Sequence, residues 1–276
     1  MREPKSSFIE HLCVWEWQGT GPTVLFAHAT SFHARIWDSI IRRLPDDTHA
    51  IAIDLRGHGR SGNPTASEPT RWKNFSADIA LVADTLGLRD IVGVGHSMGA
   101  HSIAYAAVLR PQLFRSILLI DPVIRPDAMY TGKWTESHFA RNRRNVWTSG
   151  DEMYAKYANR PPFDKWDQAA VHDYCNYALN GTALACEPNF EASIYEASTE
   201  PDSRISPEDL ATIQIPAIVM RSQYEAVPGV VDMNASATDP TLAERLPKGI
   251  DVKLDLGHFI PMEAPDLVAA QIRDLL

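Results

Sequence analysis

The residues of this chain best suited to chemistry are 95–99, which read Gly-His-Ser-Met-Gly, a G-x-S-x-G pattern. The apolar, β-branched run Asp90–Val94 precedes the pattern and predicts a buried strand. The alanine-rich run Ala100–Leu109 follows it and predicts a helix. A tight turn between a strand and a helix exposes the side chain at its apex, and flanking glycines let the two elements pass closely. The pattern therefore predicts that Ser97 is a nucleophile.

A serine hydroxyl needs a base to take its proton, and that base needs an anion to orient it. His258 is the preferred base, because it follows the strand-like run Val252–Leu256 and precedes the last predicted helix. Glu225 is the preferred acid, since the order Ser97, Glu225, His258 is the nucleophile–acid–base order of such α/β sheets. Asp121, at the end of another predicted strand, is the alternative acid.

The negative oxygen of a tetrahedral intermediate needs hydrogen-bond donors that are already in place. One expected donor is the backbone N–H of Met98, at the start of the helix after Ser97. The other is the N–H of Thr30, in the loop after the predicted strand Thr23–Ala27. His28, in the same loop, is interpreted as a structural residue that fixes the loop.

The elements that must position these residues alternate between short apolar runs and longer helical patterns. The predicted strands are Thr23–Ala27, Thr48–Leu55, Asp90–Val94, Phe114–Asp121, Ile215–Met220 and Ile250–Leu256. The predicted helices are Arg35–Leu44, Asn74–Leu86, Ala100–Leu109, Leu242–Leu246 and Pro265–Leu276. This alternation favours an α/β fold with a mostly parallel central sheet and helices on both faces. Ligands of such sheets bind beyond the carboxyl ends of the strands, where the candidate residues fall.

An aromatic-rich segment, residues 122–205, interrupts this alternation. Its helical patterns are broken at Pro161-Pro162 and at Asn180-Gly181, and it is interpreted as a helical insertion. Residues 1–121 and 206–276 are then expected to form one core domain.

Composition excludes several classes of function. The 276 residues include 35 acidic and 26 basic side chains, and the net charge of −9 argues against nucleic acid or an anionic membrane as a partner. The three cysteines, Cys13, Cys175 and Cys186, show no paired spacing, which fits a reducing compartment. With no secretory signal or long apolar stretch in the sequence, the expected location is the cytoplasm.

No histidine–carboxylate cluster has metal-ligand spacing, so neither a metal nor a cofactor is expected. The expected partner is a small-molecule substrate with an acyl group, and the sequence is compatible with a homodimer.

Four motifs in sequence order make the chain resemble the α/β-hydrolase superfamily. They are Phe26–Ala29, similar to the family's oxyanion loop; Asp54–Ser61, similar to its D-x-R-G-x-G-x-S loop; the nucleophile turn 95–99; and the histidine segment Gly257–Pro265. The resemblance implies a serine hydrolase in which residues 122–205 form a helical cap over a catalytic triad and an oxyanion hole.

Two positions depart from the family's pattern. Ala29 stands where glycine is usual in the oxyanion loop. Residues 222–225, Ser-Gln-Tyr-Glu, stand where the family usually has G-x-x-D. The glutamate side chain is longer by one methylene, so the carboxylate of Glu225 would have to fold back to meet His258.

The leading hypothesis is an esterase that cleaves a carboxylic ester, a lactone or a thioester through an acyl-enzyme. One alternative is a hydrolase of carbon–carbon bonds in ring-cleavage products, which resembles the same family equally well. Another is a non-catalytic ligand receptor on the same fold. Within the insertion, the basic cluster Arg141, Arg143 and Arg144 is interpreted first as a solvent-exposed helix face and second as a site for a substrate carboxylate.

Overall fold

The computed structural model describes residues 3–62, 70–132, 138–225 and 232–276. The strands of this part are, in chain order, β1 (Lys5–Ile9), β2 (Leu12–Trp17), β3 (Thr23–Ala27), β4 (His49–Ile53), β5 (Ile91–His96), β6 (Phe114–Ile120), β7 (Leu179–Asn180), β8 (Ala183–Leu184), β9 (Ala217–Ser222) and β10 (Gly249–Leu254). The α-helices are α1 (Asp38–Ile41), α2 (Trp72–Thr85), α3 (Met98–Leu109), α4 (Gly150–Tyr157), α5 (Gln168–Tyr177), α6 (Pro188–Ala197), α7 (Pro207–Ala211), α8 (Leu242–Arg245), α9 (Ile260–Glu263) and α10 (Pro265–Arg273).

Eight strands form one sheet with the order β1-β2-β4-β3-β5-β6-β9-β10. The pairs β1–β2 and β2–β4 are antiparallel, and the remaining pairs of the sheet are parallel. The predicted α/β fold with a mostly parallel sheet is therefore confirmed. Because β3, β5, β6, β9 and β10 are parallel, their carboxyl ends meet at one edge, and the candidate residues follow these ends.

The central strands are apolar on both faces, which explains why they read as nearly continuous hydrophobic runs. In β3, Leu25 packs with residues of α2 and α3 such as Phe75 and Ile103. The neighbouring Phe26 packs on the opposite face with residues of α1 and α10 such as Ile40. A rigid layer on each side of the sheet therefore holds the strand ends in place.

One predicted helix takes a different form. The run predicted as a helix over Arg35–Leu44 begins as a 3₁₀ turn, Ala34–Trp37, and continues as the short α1. The backbone N–H of Ala34 donates to a carboxylate oxygen of the buried Asp54 at 2.7 Å. This contact fixes the start of the turn against the loop after β4.

The described part of residues 122–205 contains α4, α5 and α6, with a small antiparallel hairpin formed by β7 and β8. The strands of the main sheet come from the chain before and after this segment. The hairpin falls at Asn180-Gly181, where Gly181 has a φ of +64° that suits a tight turn. Across the described ranges, the structure has no helix that is both long and apolar enough to cross a membrane.

Candidate active site

Ser97 lies at a sharp turn between β5 and α3, as its sequence pattern predicts. Its backbone has φ 56° and ψ −117°, a strained conformation for a residue with a side chain. The glycines allow this turn, because a Cβ on Gly99 would collide with the backbone carbonyl of Ala27. The N–H of Ser97 donates to the carbonyl of Ile120 at 2.9 Å, and its own carbonyl accepts from Val123 at 3.3 Å. The turn is therefore tied to the end of β6.

The side chains of His258 and Asp121 form a close pair. Nδ1 of His258 lies 2.5 Å from Oδ2 of Asp121. Because the carboxylate accepts, the neutral imidazole carries its proton on Nδ1 and leaves Nε2 free to act as a base. The backbone of His258 is fixed as well, since its N–H donates to the carbonyl of Asn234 at 2.9 Å.

Asp121 is fully buried at the end of β6 and has a φ of 41°. Its second oxygen, Oδ1, accepts from the N–H of Ser222 at 3.0 Å, from the hydroxyl of Ser236 at 2.7 Å and from that of Thr238 at 3.4 Å. These donors compensate the desolvation of the carboxylate and fix Oδ2 toward the imidazole.

The preference for Glu225 over Asp121 is corrected by this geometry. Glu225 is exposed, and its backbone forms a β-bridge with Ser236. Strand β9 ends at Ser222, whose N–H donates to Asp121. The residues that follow, 223–225, are exposed at the surface. The structure thus places the alternative acid, Asp121, against the imidazole of His258.

His96 is a positioning residue that the sequence analysis missed. Its Nε2–H donates to the backbone carbonyl of His258 at 2.8 Å, and the two imidazole rings lie 4.9 Å apart. Burial lowers the pKa of His96 to about 3, so its ring is neutral at ordinary pH. The available signal was its place inside the G-x-S-x-G pattern, next to Ser97 in sequence.

The two residues expected to supply oxyanion donors are in contact through their side chains. The hydroxyl of Thr30 contacts Sδ of Met98 at 3.4 Å, and both residues are buried. Within the described ranges, neither the N–H of Thr30 nor that of Met98 has a backbone partner. Two untied donors beside Ser97 are the arrangement that an oxyanion requires.

Two buried, neutral histidines hold the loop that carries Thr30. Nε2 of His28 accepts from the N–H of Leu55 at 2.9 Å, and Nδ1–H donates to the carbonyl of Ala29 at 2.7 Å. Nε2 of His58 accepts from the N–H of Ser31 at 3.1 Å. Burial lowers the pKa of His58 to about 4 and that of His28 well below its ordinary value. The structural interpretation of His28 agrees with these contacts.

The segment 122–205 packs on the oxyanion loop through aromatic rings, and an ion pair inside the segment supports one of these rings. The ring of Phe32 lies 5.7 Å from that of Trp166 and 5.4 Å from that of Tyr174. Arg143 forms an ion pair with the buried Glu191 and donates to the hydroxyl of Tyr174 at 3.0 Å. The segment therefore covers the side of the loop next to Thr30.

The basic cluster of the sequence is engaged in pairs with carboxylates of the same segment. Arg141 pairs with Glu196 at 2.7 Å, and Arg144 pairs with Glu152 at 2.6 Å. With Arg143 bound to Glu191, all three arginines have internal partners. This pairing removes the reason to assign a substrate carboxylate to any of them.

A sequence model described as the alpha/beta hydrolase family matches residues 24–271. Lipase LipV of Mycobacterium tuberculosis is 28% identical over 278 residues, covering 93% of this chain and 94% of that protein. The 2-(acetamidomethylene)succinate hydrolase of Mesorhizobium japonicum is 35% identical over 114 residues, covering 41% of this chain and 40% of that protein. The type I acyl-CoA thioesterase mpaH of Penicillium roqueforti is 27% identical and is covered over 54% of its length. The chain thus spans about half or less of the last two relatives.

Among solved structures, E-2-(acetamidomethylene)succinate hydrolase matches with a TM-score of 0.73 over 99% of this chain and 98% of that chain. A thioesterase domain from the curacin biosynthetic pathway matches with the same TM-score. The sequence identities are 21% and 18%, so these structures show a shared fold.

Proposed function

Because the chain belongs to the alpha/beta hydrolase family, we propose that it is a serine hydrolase that cleaves carboxylic esters or thioesters through an acyl-enzyme on Ser97. The observation that carries this proposal is the 2.5 Å contact between His258 and Asp121, beside a strained serine turn. A lipase and an acyl-CoA thioesterase among the relatives support an acyl substrate.

In the first half of the reaction, Nε2 of His258 takes the proton of Ser97 while the serine oxygen attacks the acyl carbon. Asp121 keeps the imidazole in the correct tautomer and stabilises the imidazolium that forms. The negative oxygen of the tetrahedral intermediate accepts from the N–H groups of Thr30 and Met98, each worth on the order of 3 kcal/mol in such sites. The intermediate then collapses, the imidazolium protonates the leaving alcohol or thiol, and the acyl group stays on Ser97.

In the second half, His258 takes a proton from water, and the resulting hydroxide attacks the acyl carbon. The same two N–H groups stabilise the second tetrahedral intermediate. Its collapse releases the carboxylic acid, and the imidazolium returns its proton to the oxygen of Ser97. The chain's own groups suffice for every step of this sequence, so the proposal includes no cofactor.

We propose a small acyl compound as the partner and a reducing compartment such as the cytoplasm as the location. The cysteines support the second point, since Cys13, Cys175 and Cys186 are all buried free thiols.

The proposed function is tested by labelling the purified chain with a fluorophosphonate probe, with Ser97→Ala as the matched control. Labelling of the wild type alone supports a nucleophilic Ser97. Absence of labelling in both proteins contradicts it and favours a receptor. A panel of p-nitrophenyl esters, lactones, thioesters and a 2-hydroxy-6-oxo dienoate then separates acyl hydrolysis from carbon–carbon cleavage, and turnover of the dienoate alone would replace the proposal.

A further inference from the structure

Arg125, near the proposed nucleophile, has no counter-ion among the residues that the structure describes. It lies four residues after Asp121, in the loop whose Val123 N–H donates to the carbonyl of Ser97 at 3.3 Å. Its Nε is inaccessible to solvent and has no hydrogen-bond partner in the part of the chain that the structure describes. Its Nη2 makes a long contact with the hydroxyl of Ser198, at 3.4 Å.

The other arginines around it behave differently. Four others of the segment 122–205 are paired with carboxylates: Arg141 with Glu196, Arg143 with Glu191, Arg144 with Glu152 and Arg204 with Asp127. No such pair forms at Arg125 within the described ranges. A buried charge without a partner is costly, and burial accordingly lowers the pKa of Arg125. A charged group of this kind is a candidate for a functional site, because a ligand can supply the opposite charge.

The position of Arg125 fits a ligand that also reaches Ser97. One face of α6 carries Glu191 and Tyr195. The C-cap residue Ser198 continues this face at helical spacing. Glu191 and Tyr195 interact with Ser31 of the oxyanion loop, whereas Ser198 contacts Arg125. The face therefore reaches from the oxyanion loop to Arg125. Ser97 is connected to both ends of this face. Its neighbour Met98 contacts Thr30 of the oxyanion loop, and its carbonyl accepts from the N–H of Val123, two residues before Arg125.

We propose that Arg125 binds a carboxylate of the substrate, so that the preferred substrates are esters or thioesters with a second, anionic group. A guanidinium binds a carboxylate through two parallel hydrogen bonds, and the buried Nε–H of Arg125 has no acceptor among the described residues. This proposal rests on the proposed function of Ser97, because the carboxylate at Arg125 is a second group of the same substrate whose acyl carbon Ser97 attacks.

The test compares acidic esters with their neutral methyl esters in two arms. The first arm uses p-nitrophenyl hydrogen adipate and p-nitrophenyl methyl adipate, which place the charge on the acyl side. The second uses 4-butyryloxybenzoate and its methyl ester, which place it on the leaving group. For each pair, the ratio of kcat/KM for the acidic ester to that for the neutral ester is measured in the wild type and in Arg125→Gln.

We expect a wild-type ratio above one in one of the arms and a roughly 10- to 100-fold smaller ratio in Arg125→Gln. Arg125→Lys should keep part of the preference, because lysine retains the charge but not the paired geometry. Arg141→Gln, whose parent arginine is paired with Glu196, is the matched control and should keep the wild-type ratio. A ratio that is unchanged by Arg125→Gln in both arms overturns the proposal.

Two further measurements separate this proposal from the one on which it rests. Fluorophosphonate labelling of Ser97 reports the nucleophile in every variant, whatever its preference for charge. Adipate itself should raise the Tm of the wild type but not that of Arg125→Gln, which tests the binding site even in the absence of turnover. An equal rise in both proteins contradicts a site at Arg125.

Discussion

The imidazole of His96 donates a hydrogen bond to the backbone carbonyl of His258, at 2.8 Å. The residue directly before the proposed nucleophile thereby holds the loop of the proposed base. The bond joins the end of β5 to the loop after β10, across two intervening strands of the sheet. Ser97 and His258 are thus positioned relative to each other by a contact that does not use their reactive atoms.

Removal of this contact is expected to slow the reaction. His96→Ala leaves a buried carbonyl without its donor, and we expect kcat to fall about tenfold with a smaller change in KM. His96→Gln supplies an amide donor and should recover part of kcat. Since the pKa of His96 is about 3, the alkaline side of the pH profile should keep its wild-type shape in both variants. Equal kcat values for wild type and His96→Ala would show that the bond is dispensable.

The acid is tested by a matched pair of isosteric changes. Asp121→Asn keeps the shape of the side chain but favours the wrong tautomer of His258, so kcat should fall on the order of 10³–10⁴-fold. Glu225→Gln changes an exposed carboxylate and should alter kcat by less than about twofold. Steady-state hydrolysis of one p-nitrophenyl ester measures both. The reverse ranking would restore Glu225 as the acid.

The buried histidines that hold the oxyanion loop, His28 and His58, predict a loss of stability in acid. His58 has a pKa of about 4 in the folded protein and about 6.5 when unfolded, so the unfolded chain binds more protons between these values. The contribution of His58 to stability is therefore complete above about pH 6.5 and is lost as the pH falls toward 4. Each such histidine contributes about 1.4 kcal/mol per pH unit in this window.

Chemical unfolding between pH 4 and pH 8 measures this slope. His58→Gln removes one titrating group and should flatten the slope, although it also lowers stability at neutral pH. His172→Gln, on the exposed side of α5, is the control and should keep the wild-type slope. A slope unaffected by His58→Gln would contradict the assignment.

The buried ion pair between Arg143 and Glu191 predicts a strongly non-additive effect on stability. Glu191→Leu leaves a guanidinium without its counter-ion and should cost about 3–5 kcal/mol, as should Arg143→Met. The double variant replaces both charges by apolar groups and should be more stable than either single variant. The free energy of unfolding of the four proteins forms a double-mutant cycle, and additive losses would mean that the pair does not act as a unit.

The sequence predicts the fold of this chain well, and the contacts between the candidate site residues poorly. Alternating apolar and helical runs locate the strands that end at Ser97 and Asp121, because each central strand is buried on both faces. The choice between Asp121 and Glu225 depends instead on donors 101 to 117 residues away in sequence from Asp121. No local pattern reports such contacts, and chain order alone favoured the exposed glutamate.

Arg125 is a second example of a feature that no local sequence pattern reports. In the sequence it is one of several arginines near the insertion, and the dense group at 141–144 attracts more attention. What distinguishes Arg125 is the absence of a carboxylate beside it in the described structure, which is a property of packing. Composition records how many charges a chain has, but the fold decides which of them are neutralised.

The hydrogen bond from Val123 to Ser97 has a consequence for how this enzyme could be altered. Five consecutive residues, 121–125, carry the carboxylate that contacts the proposed base, the N–H that secures the serine turn and the guanidinium proposed to bind the substrate. We therefore expect a backbone shift that alters Arg125 at one end of this pentapeptide to disturb the contact between Asp121 and His258 at the other. Directed evolution of specificity should therefore accept few changes in this segment.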